Sequence, residues 1–297
     1  MKKYISVDIG GTAIKYGMIR EDGEILSRNV IDTEAHKGGS AILNKVEKIV
    51  EQHRMQENLC GICISTAGIV DTEKGIITYA APLIPDYTGT EYKRVLEDKF
   101  QIPCEVENDV NCAGLAEYYS GASAGSKIAV MLTVGTGIGG SIVIDGEIFR
   151  GFSGSACEVG YMNIQGGDFQ SLGAASILTK KVADWKKEPR ERWNGYRIFE
   201  AAKEGDDLCI QAIEEMSDTL GQGISNICYV VNPEVVVLGG GIMAQEQYLR
   251  EKIEASIAAY LLPEIAAHTR LEFAKHRNDA GMLGAFYHFI HHRADVL

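Results

Sequence analysis

The sequence predicts an α/β protein of two duplicated βββαβαβα domains around a central cleft, and three observations carry that expectation. Strand-like and helix-like apolar periods follow one another in the same order in both halves. Residues 5–26, ISVDIGGTAIKYGMIREDGEIL, placed without gaps over 128–149, IAVMLTVGTGIGGSIVIDGEIF, agree at eight of 22 positions, including a shared DGEI. In each copy a glycine-rich loop joins two strands rather than a strand and a helix.

Residues 4–9, 15–20 and 24–30 read as strands, the last two joined by Glu21-Asp22-Gly23, whose Asp-Gly pair is a hairpin signal. A helix is expected at 40–54, with Ile42, Val46, Ile49 and Val50 on one face. A strand at 60–65, a helix near 90–100, a strand at 103–107 and a helix from 109 to about 119 complete the first copy. The second copy has strands near 127–134, 139–144 and 147–150, a long helix at 207–231, a strand at 234–238, a helix near 246–260, a strand at 270–274 and a helix at 279–292. The long helix is supported by Cys209, Ile213, Met216, Leu220, Ile224, Ile227 and Val231, which step by three or four before Pro233. Hairpins make antiparallel pairs and βαβ links parallel ones, so each sheet should be mixed. The domains are expected at 1–120 and 121–297, with 151–205 an insertion outside both copies and helix 279–292 able to pack back on the first domain.

Composition excludes several function classes. The 297 residues are 45% hydrophobic and 24% charged, enough for two ordinary domains. A net charge of −12 argues against a nucleic-acid partner, since phosphate backbones are bound by clustered Lys and Arg. Seven scattered cysteines do not form a disulfide framework in a chain of this length, and a reducing cytoplasm is expected. The start MKKYISVDIGG lacks a sustained apolar segment, and no run approaches the ~18 apolar residues of a membrane span. A membrane partner is therefore not expected.

The glycine loops narrow the chemistry. Residues 10–17, GGTAIKYG, do not supply the P-loop pattern. Gly135-Thr136-Gly137-Ile138-Gly139-Gly140 matches the dinucleotide fingerprint in letters, but a strand follows it where the pyrophosphate site needs a helix N-terminus. What remains is a pair of hairpin loops whose backbone N–H groups can approach phosphate, with Thr12 and Thr136 adding hydroxyls. A plain tight turn is the alternative for either loop alone. A third glycine run, Gly239-Gly240-Gly241, follows VVVL.

VDIGGTAIK, LTVGTGIGG, VVVLGGGI, EVENDVNCAGLAE, CEVGYM and NDAGMLGAFYHF together resemble the ROK group of bacterial sugar kinases, within the actin-like (ribonuclease H-like) ATPase and sugar-kinase superfamily. The resemblance runs from end to end. The alanine of DIGGTAIK, the tyrosine of EVGYM and HRNDAGMLGAFYHF look most like the β-glucoside kinases, which phosphorylate the 6-hydroxyl of a glucosyl unit in disaccharides such as cellobiose. N-acetylmannosamine kinase and glucokinase are neighbouring possibilities. The family implies ATP as donor, a small-molecule sugar as acceptor and a homodimer.

The resemblance then assigns roles. Asp109 matches the family's catalytic base, and Asn108 would hydrogen-bond sugar hydroxyls; either could instead cap the helix that follows. Asp8 is an acid at the end of an apolar strand, where it is costly without a partner, and the ungapped repeat puts Met131 in its place. It is read as a water-mediated Mg²⁺ ligand, against an Asp that turns back on its own loop. Gly10, Gly11, Thr12 and Lys15 would face ATP in the first copy, and Gly135, Thr136, Gly137, Gly239, Gly240 and Gly241 in the second. An outward hairpin lysine is the equal alternative for Lys15. Glu158 matches the family's sugar-binding glutamate, with a solvated loop carboxylate as the alternative, and Gly68 and Thr66 match a stretch lining the sugar site.

Tyr161 stands where most ROK kinases carry a histidine that binds sugar and ligates zinc. The following NIQGGDFQSLGAAS has neither Cys nor His, so no structural zinc is expected. Cys60-Gly-Ile-Cys63 falls on a strand where positions i and i+3 face opposite ways. His288, His291 and His292 read as polar faces of a terminal helix. A sugar-sensing regulator is the competing class, but the first phosphate strand begins by Tyr4, which leaves no room for a preceding winged helix.

Overall fold

Contacts divide the chain, seen here in a computed structural model that describes residues 1–293, into two units. The first takes Met1–Tyr119, Arg150–Ser155 and the chain from Asn278 onward. The second takes Ser120–Phe149 and Ala156–Arg277.

The first unit opens with β1 (Lys3–Ile9), β2 (Ala13–Arg20) and β3 (Asn29–Asp32). It continues through α1 (Gly39–Arg54), β4 (Leu59–Thr66), the hairpin β5 (Ile69–Asp71) and β6 (Ile76–Tyr79), α2 (Tyr92–Phe100), β7 (Cys104–Asn108) and α3 (Asp109–Ser120). The sheet order is β3-β2-β1-β4-β7, antiparallel across β1–β2–β3 and parallel across β1–β4–β7. Ile5, Val7 and Ile9 share a buried cluster with Ile42, Val46, Ile49 and Val50 of α1, as the helical spacing requires. The third strand starts five residues later than expected, because the Ser27 hydroxyl accepts the Met18 amide where a ladder carbonyl would sit.

The second unit contains β8 (Ile128–Val134), β9 (Ile138–Ile144), β10 (Glu147–Ile148), and the short hairpin β11 (Asn163–Ile164) and β12 (Gly167–Asp168). It continues through α4 (Phe169–Gly173), α5 (Ala175–Lys186), α6 (Gly195–Lys203), α7 (Asp207–Val231), β13 (Val235–Gly239), α8 (Glu246–Tyr260), α9 (Pro263–Ala266) and β14 (Arg270–Phe273). Its sheet order, β10-β9-β8-β13-β14, repeats that of the first unit strand for strand. The Asp206 carboxylate caps α7 by accepting the Cys209 amide, and Asn232, in the left-handed region just before Pro233, ends it. Phe169, Leu178, Val182, Ile198 and Phe199, all within the inserted stretch, are buried in the same core as the α7 stripe. The last helix, α10 (Ala280–His292), packs on β1, β4 and β7 of the first unit.

The duplication holds, but the ungapped alignment is out of register by two residues across β1 and β8. The first hairpin closes on the pair Ile9–Ile14 and the second on Val134–Ile138, around loops of different length. Asp8 lies one residue before its closing pair, so its counterpart is Thr133, not Met131. Identity at DGEI anchored the alignment on the far turn and hid the shift. Neither counterpart is acidic, so the scaffold does not require a carboxylate there.

Candidate functional site

In the first unit, strand register assembles a small polar cluster at the end of β1. Ser65 lies beside Asp8 in the parallel ladder, and its hydroxyl donates to Asp8 Oδ1 at 2.8 Å. Lys15 is the cross-hairpin partner of Asp8 and brings Nζ to 3.9 Å from Oδ2. The lysine therefore points toward Asp8, and its Nζ also donates to Asn278 Oδ1 at 3.5 Å. Burial pushes the Asp8 carboxyl up, opposed by the Ser65 bond and the Lys15 charge. The side chain is nevertheless 15% exposed, so the carboxylate is held and still reachable.

The first turn of α10 presses on this carboxylate. A Cβ at Gly281 would lie 2.3–2.6 Å from the Asp8 carboxyl atoms, so any larger residue there has to displace that carboxylate. Arg28 fixes the same turn with a bidentate pair to Asp279, at 3.0–3.1 Å. Asp279 thus holds α10 through an ion pair and makes no side-chain cap bond.

At the junction of β7 and α3, Asn108 and Asp109 divide the two functions that the sequence left open between them. Asn108 is the cap: its Oδ1 accepts the amides of Val110 and Asn111 at 2.8 and 3.1 Å. Its Nδ2 donates to the Gly68 carbonyl at 2.9 Å and to Asp109 Oδ1 at 3.1 Å, so the whole amide is engaged within the unit. The Asp109 carboxyl is raised to about 6, first by burial and then by the charge of Asp8, against the amide of Val110. That places a carboxylate in the range where it can both accept and hold a proton near neutral pH. Gly68 sits at φ +99°, and a Cβ there would meet the Tyr79 carbonyl at 2.7 Å. Thr66 is wholly buried; its hydroxyl is shared with the Tyr87 hydroxyl, which in turn meets Tyr92 OH at 3.1 Å. Its visible task is to support the strand end beneath Gly68.

In the first glycine loop, the Gly10 amide donates to the Ala13 carbonyl at 3.1 Å, and Gly11 and Thr12 are exposed. In the second unit, the Gly135 amide closes the loop on the Gly137 carbonyl at 2.9 Å, and Ser176 Oγ donates to the Thr136 carbonyl at 2.6 Å. A cavity of about 460 Å³ opens beside it, lined among others by Gly135, Thr179, Tyr196, Gly241, Ala244 and Gln245. The glycines of the third run separate by cause. Cβ atoms at Gly239 and Gly240 would meet Met131 Cε at 2.4 Å and the Val134 carbonyl at 2.2 Å, so packing accounts for both. At Gly11, Gly135 and Gly241 a Cβ would meet nothing within 4 Å, so internal packing does not explain the missing side chain. Open backbone at these three positions suits a ligand that approaches the main chain.

Glu158 and Tyr161 lie on the exposed turn around Val159–Tyr161, and Tyr161 is 64% exposed. Gly160 anchors that turn, since a Cβ would fall 2.3 Å from the Ile138 carbonyl. Partial burial raises the Glu158 carboxyl.

The ROK family's sequence profile matches residues 4–292. The chain belongs to the ROK family. It is 48% identical over 289 residues to an uncharacterised protein of Clostridium perfringens, covering 97% of this chain and 98% of the relative. It is 31% identical over 296 residues to a β-glucoside kinase of Listeria monocytogenes, covering 97% of each. The structure is also similar to a ROK family glucokinase of Streptomyces griseus in complex with glucose and AMPPNP, with TM-score 0.83 and 26% identity over 95% of this chain and 97% of that one.

The sequence of this ROK protein assigns no role to Glu107; it places Ser65 only in the stretch 65–68 lining the sugar site, and Gly281 only at the start and packing of the last helix. Glu107 alternates with Glu105 on one face of β7, a pattern that by itself reads as a solvated strand face. The contacts of Ser65 and Gly281 with Asp8 were not readable, since they arise from sheet register and helix docking. His288, expected on a polar face, is 1% exposed, with Nδ1 3.9 Å from Glu107 Oε2. Cys63 is buried and Cys60 partly exposed on β4. Among the described residues no group of three or more His, Cys, Asp or Glu is gathered for a metal, and no helix is long and apolar enough to cross a membrane.

Proposed function

We propose that this ROK protein is an ATP- and Mg²⁺-dependent sugar kinase that phosphorylates the 6-hydroxyl of a β-glucoside such as cellobiose. The observation that carries the reading is Asp109, raised to about 6 beside a second, reachable carboxylate at Asp8. Phosphoryl transfer to an alcohol asks for that pair: a proton acceptor at the hydroxyl and a carboxylate on the metal side. The Listeria β-glucoside kinase and the glucose-bound glucokinase support the sugar as acceptor.

Asp109, ionised above pH ~6, accepts the proton of the attacking hydroxyl, and Asn108 holds its carboxylate direction. Within the first unit, Gly68 is the proposed sugar contact; Glu158 and Tyr161 are the candidates of the second unit taken by itself. In the second unit the cavity beside Gly135 and Gly241 holds adenosine, and the open backbone of Gly135 suits phosphate oxygens. Asp8, its carboxylate oriented by the Ser65 hydroxyl, would hold Mg²⁺, which when bound would neutralise phosphate charge. Lys15 tempers the Asp8 charge.

A coupled ADP-release assay over cellobiose, gentiobiose, aryl-β-glucosides, glucose, N-acetylmannosamine and fructose tests the substrate class. Turnover of β-glucosides is expected to exceed the rest; turnover of glucose or N-acetylmannosamine without any β-glucoside overturns the subgroup. No turnover of any sugar, with sugar binding retained, would favour the regulator. Gly281→Ala should push against Asp8 and raise the Mg²⁺ midpoint of that activity. An unchanged Mg²⁺ titration would separate α10 from the metal side.

A further inference from the structure

β7 carries two buried acids on one face, Glu105 and Glu107, while Cys104 and Val106 join the apolar core on the other. Burying a carboxylate costs several kcal/mol unless charge and hydrogen bonds compensate it. The Glu105 carboxylate is matched by Lys93 at 3.0 and 3.1 Å and by Arg293 at 2.5 Å, which ties the sheet edge to α2 and the end of α10. Glu107 is matched differently. Its Oε1 accepts the backbone amide of Asn108 at 2.6 Å and Asn111 Nδ2 at 3.0 Å. Its Oε2 accepts from Arg150 Nη2 at 2.6 Å.

These bonds close a ring around the residue next to Asp109. Glu107 holds the Asn108 amide, Asn108 Oδ1 accepts the Asn111 amide, and the Asn111 side chain returns to Glu107. The Asp109 carboxylate is attached to that ring through Asn108 Nδ2. Arg150 begins the short segment Arg150–Ser155, which belongs to the first unit although the chain on both sides of it belongs to the second. Its guanidinium is paired with Glu107, while His288, whose Nδ1 lies 3.9 Å from the same carboxylate, is held neutral by burial.

We propose that Glu107 and Arg150 are a positioning pair that aims the Asp109 carboxylate, a role that rests on the reading of Asp109 as the base. Neither touches the sugar: Glu107 acts through Asn108 and Asn111, and Arg150 acts by holding the Glu107 carboxylate in its orientation. A displacement of about an ångström at a reacting group costs on the order of 10²-fold in rate.

The test compares wild type with Glu107→Gln, Arg150→Met, Arg150→Lys and Asn111→Ala. Each is measured by thermal unfolding, by kcat and KM for sugar and ATP, and by the ¹³C titration of the Asp109 carboxyl. Glu107→Gln and Arg150→Met are expected to lower kcat by about 10- to 100-fold with both KM values within about threefold. Arg150→Lys should recover part of that loss, and the Asp109 titration should move in both low-kcat variants. A purely structural role would lower the melting temperature and leave kcat per folded molecule and the Asp109 titration unchanged; that result overturns the proposal. If the charge variants do not fold, Asn111→Ala opens the ring without removing a charge, and an unchanged kcat and titration there overturn it equally. If the wild type phosphorylates no sugar, the kinase reading fails, and the titration alone decides whether Glu107 and Arg150 set the environment of Asp109.

Discussion

Asp109→Asn should lower kcat by about 10²–10⁴-fold while leaving the sugar dissociation constant nearly unchanged. The amide keeps the shape of the carboxylate but cannot take the hydroxyl proton. ADP release and calorimetric sugar binding measure the two quantities separately, and a variant with wild-type turnover would remove Asp109 as the base. In the wild type, kcat/KM should fall with unit slope as pH drops through about 6, where burial and Asp8 have placed this carboxyl. The same shift has a stability sign. The folded value lies above the ordinary 3.8, so the fold disfavours the ionised form. The resulting cost is fully present above pH ~6, shrinks as pH falls toward the unfolded value, and is on the order of 1–3 kcal/mol. Asp109→Asn should therefore raise the melting temperature at pH 7.5 and lose that advantage near pH 4.

Asp8→Asn should be the second large loss, about 10²-fold or more in kcat with a raised Mg²⁺ midpoint. The amide oxygen can still accept the Ser65 hydroxyl, so the local bond survives while the charge goes. Because the Asp8 charge helps to raise Asp109, the acid limb of the residual activity should also move to lower pH. A wild-type metal dependence with that limb unmoved would sink both the metal role of Asp8 and its coupling to Asp109.

Much of the fold was legible because its signals are local. The α7 stripe, its Asp206 cap and the Asn232-Pro233 stop lie within one stretch of chain, and the helix spans the predicted residues. The hairpin β5–β6 and α4 were not read, because strands of three and four residues and a helix of five carry little periodicity, while α5 and α6 lie in the stretch taken only as an insertion. The site was legible where an odd residue stood against its background. Asp8 is an acid in an apolar strand, and Asn108-Asp109 sits at a strand-to-helix step. Glu107 alternates with Glu105 and carries no such contrast.

By itself the sequence determined the duplicated α/β plan, the two hairpin glycine loops and the candidate acids, since each depends on residue type and on spacing along the chain. Only the tertiary structure decided that Thr133 answers to Asp8, because the two hairpins close at different registers. It also decided that Asn108 caps while Asp109 is left beside the charge of Asp8, that Gly281 presses on Asp8, and that Arg150 pairs with Glu107. Asp109 and Asp8, Gly281 and Asp8, and Arg150 and Glu107 lie between 43 and 273 residues apart, and close approach between distant segments leaves no periodic trace in the chain.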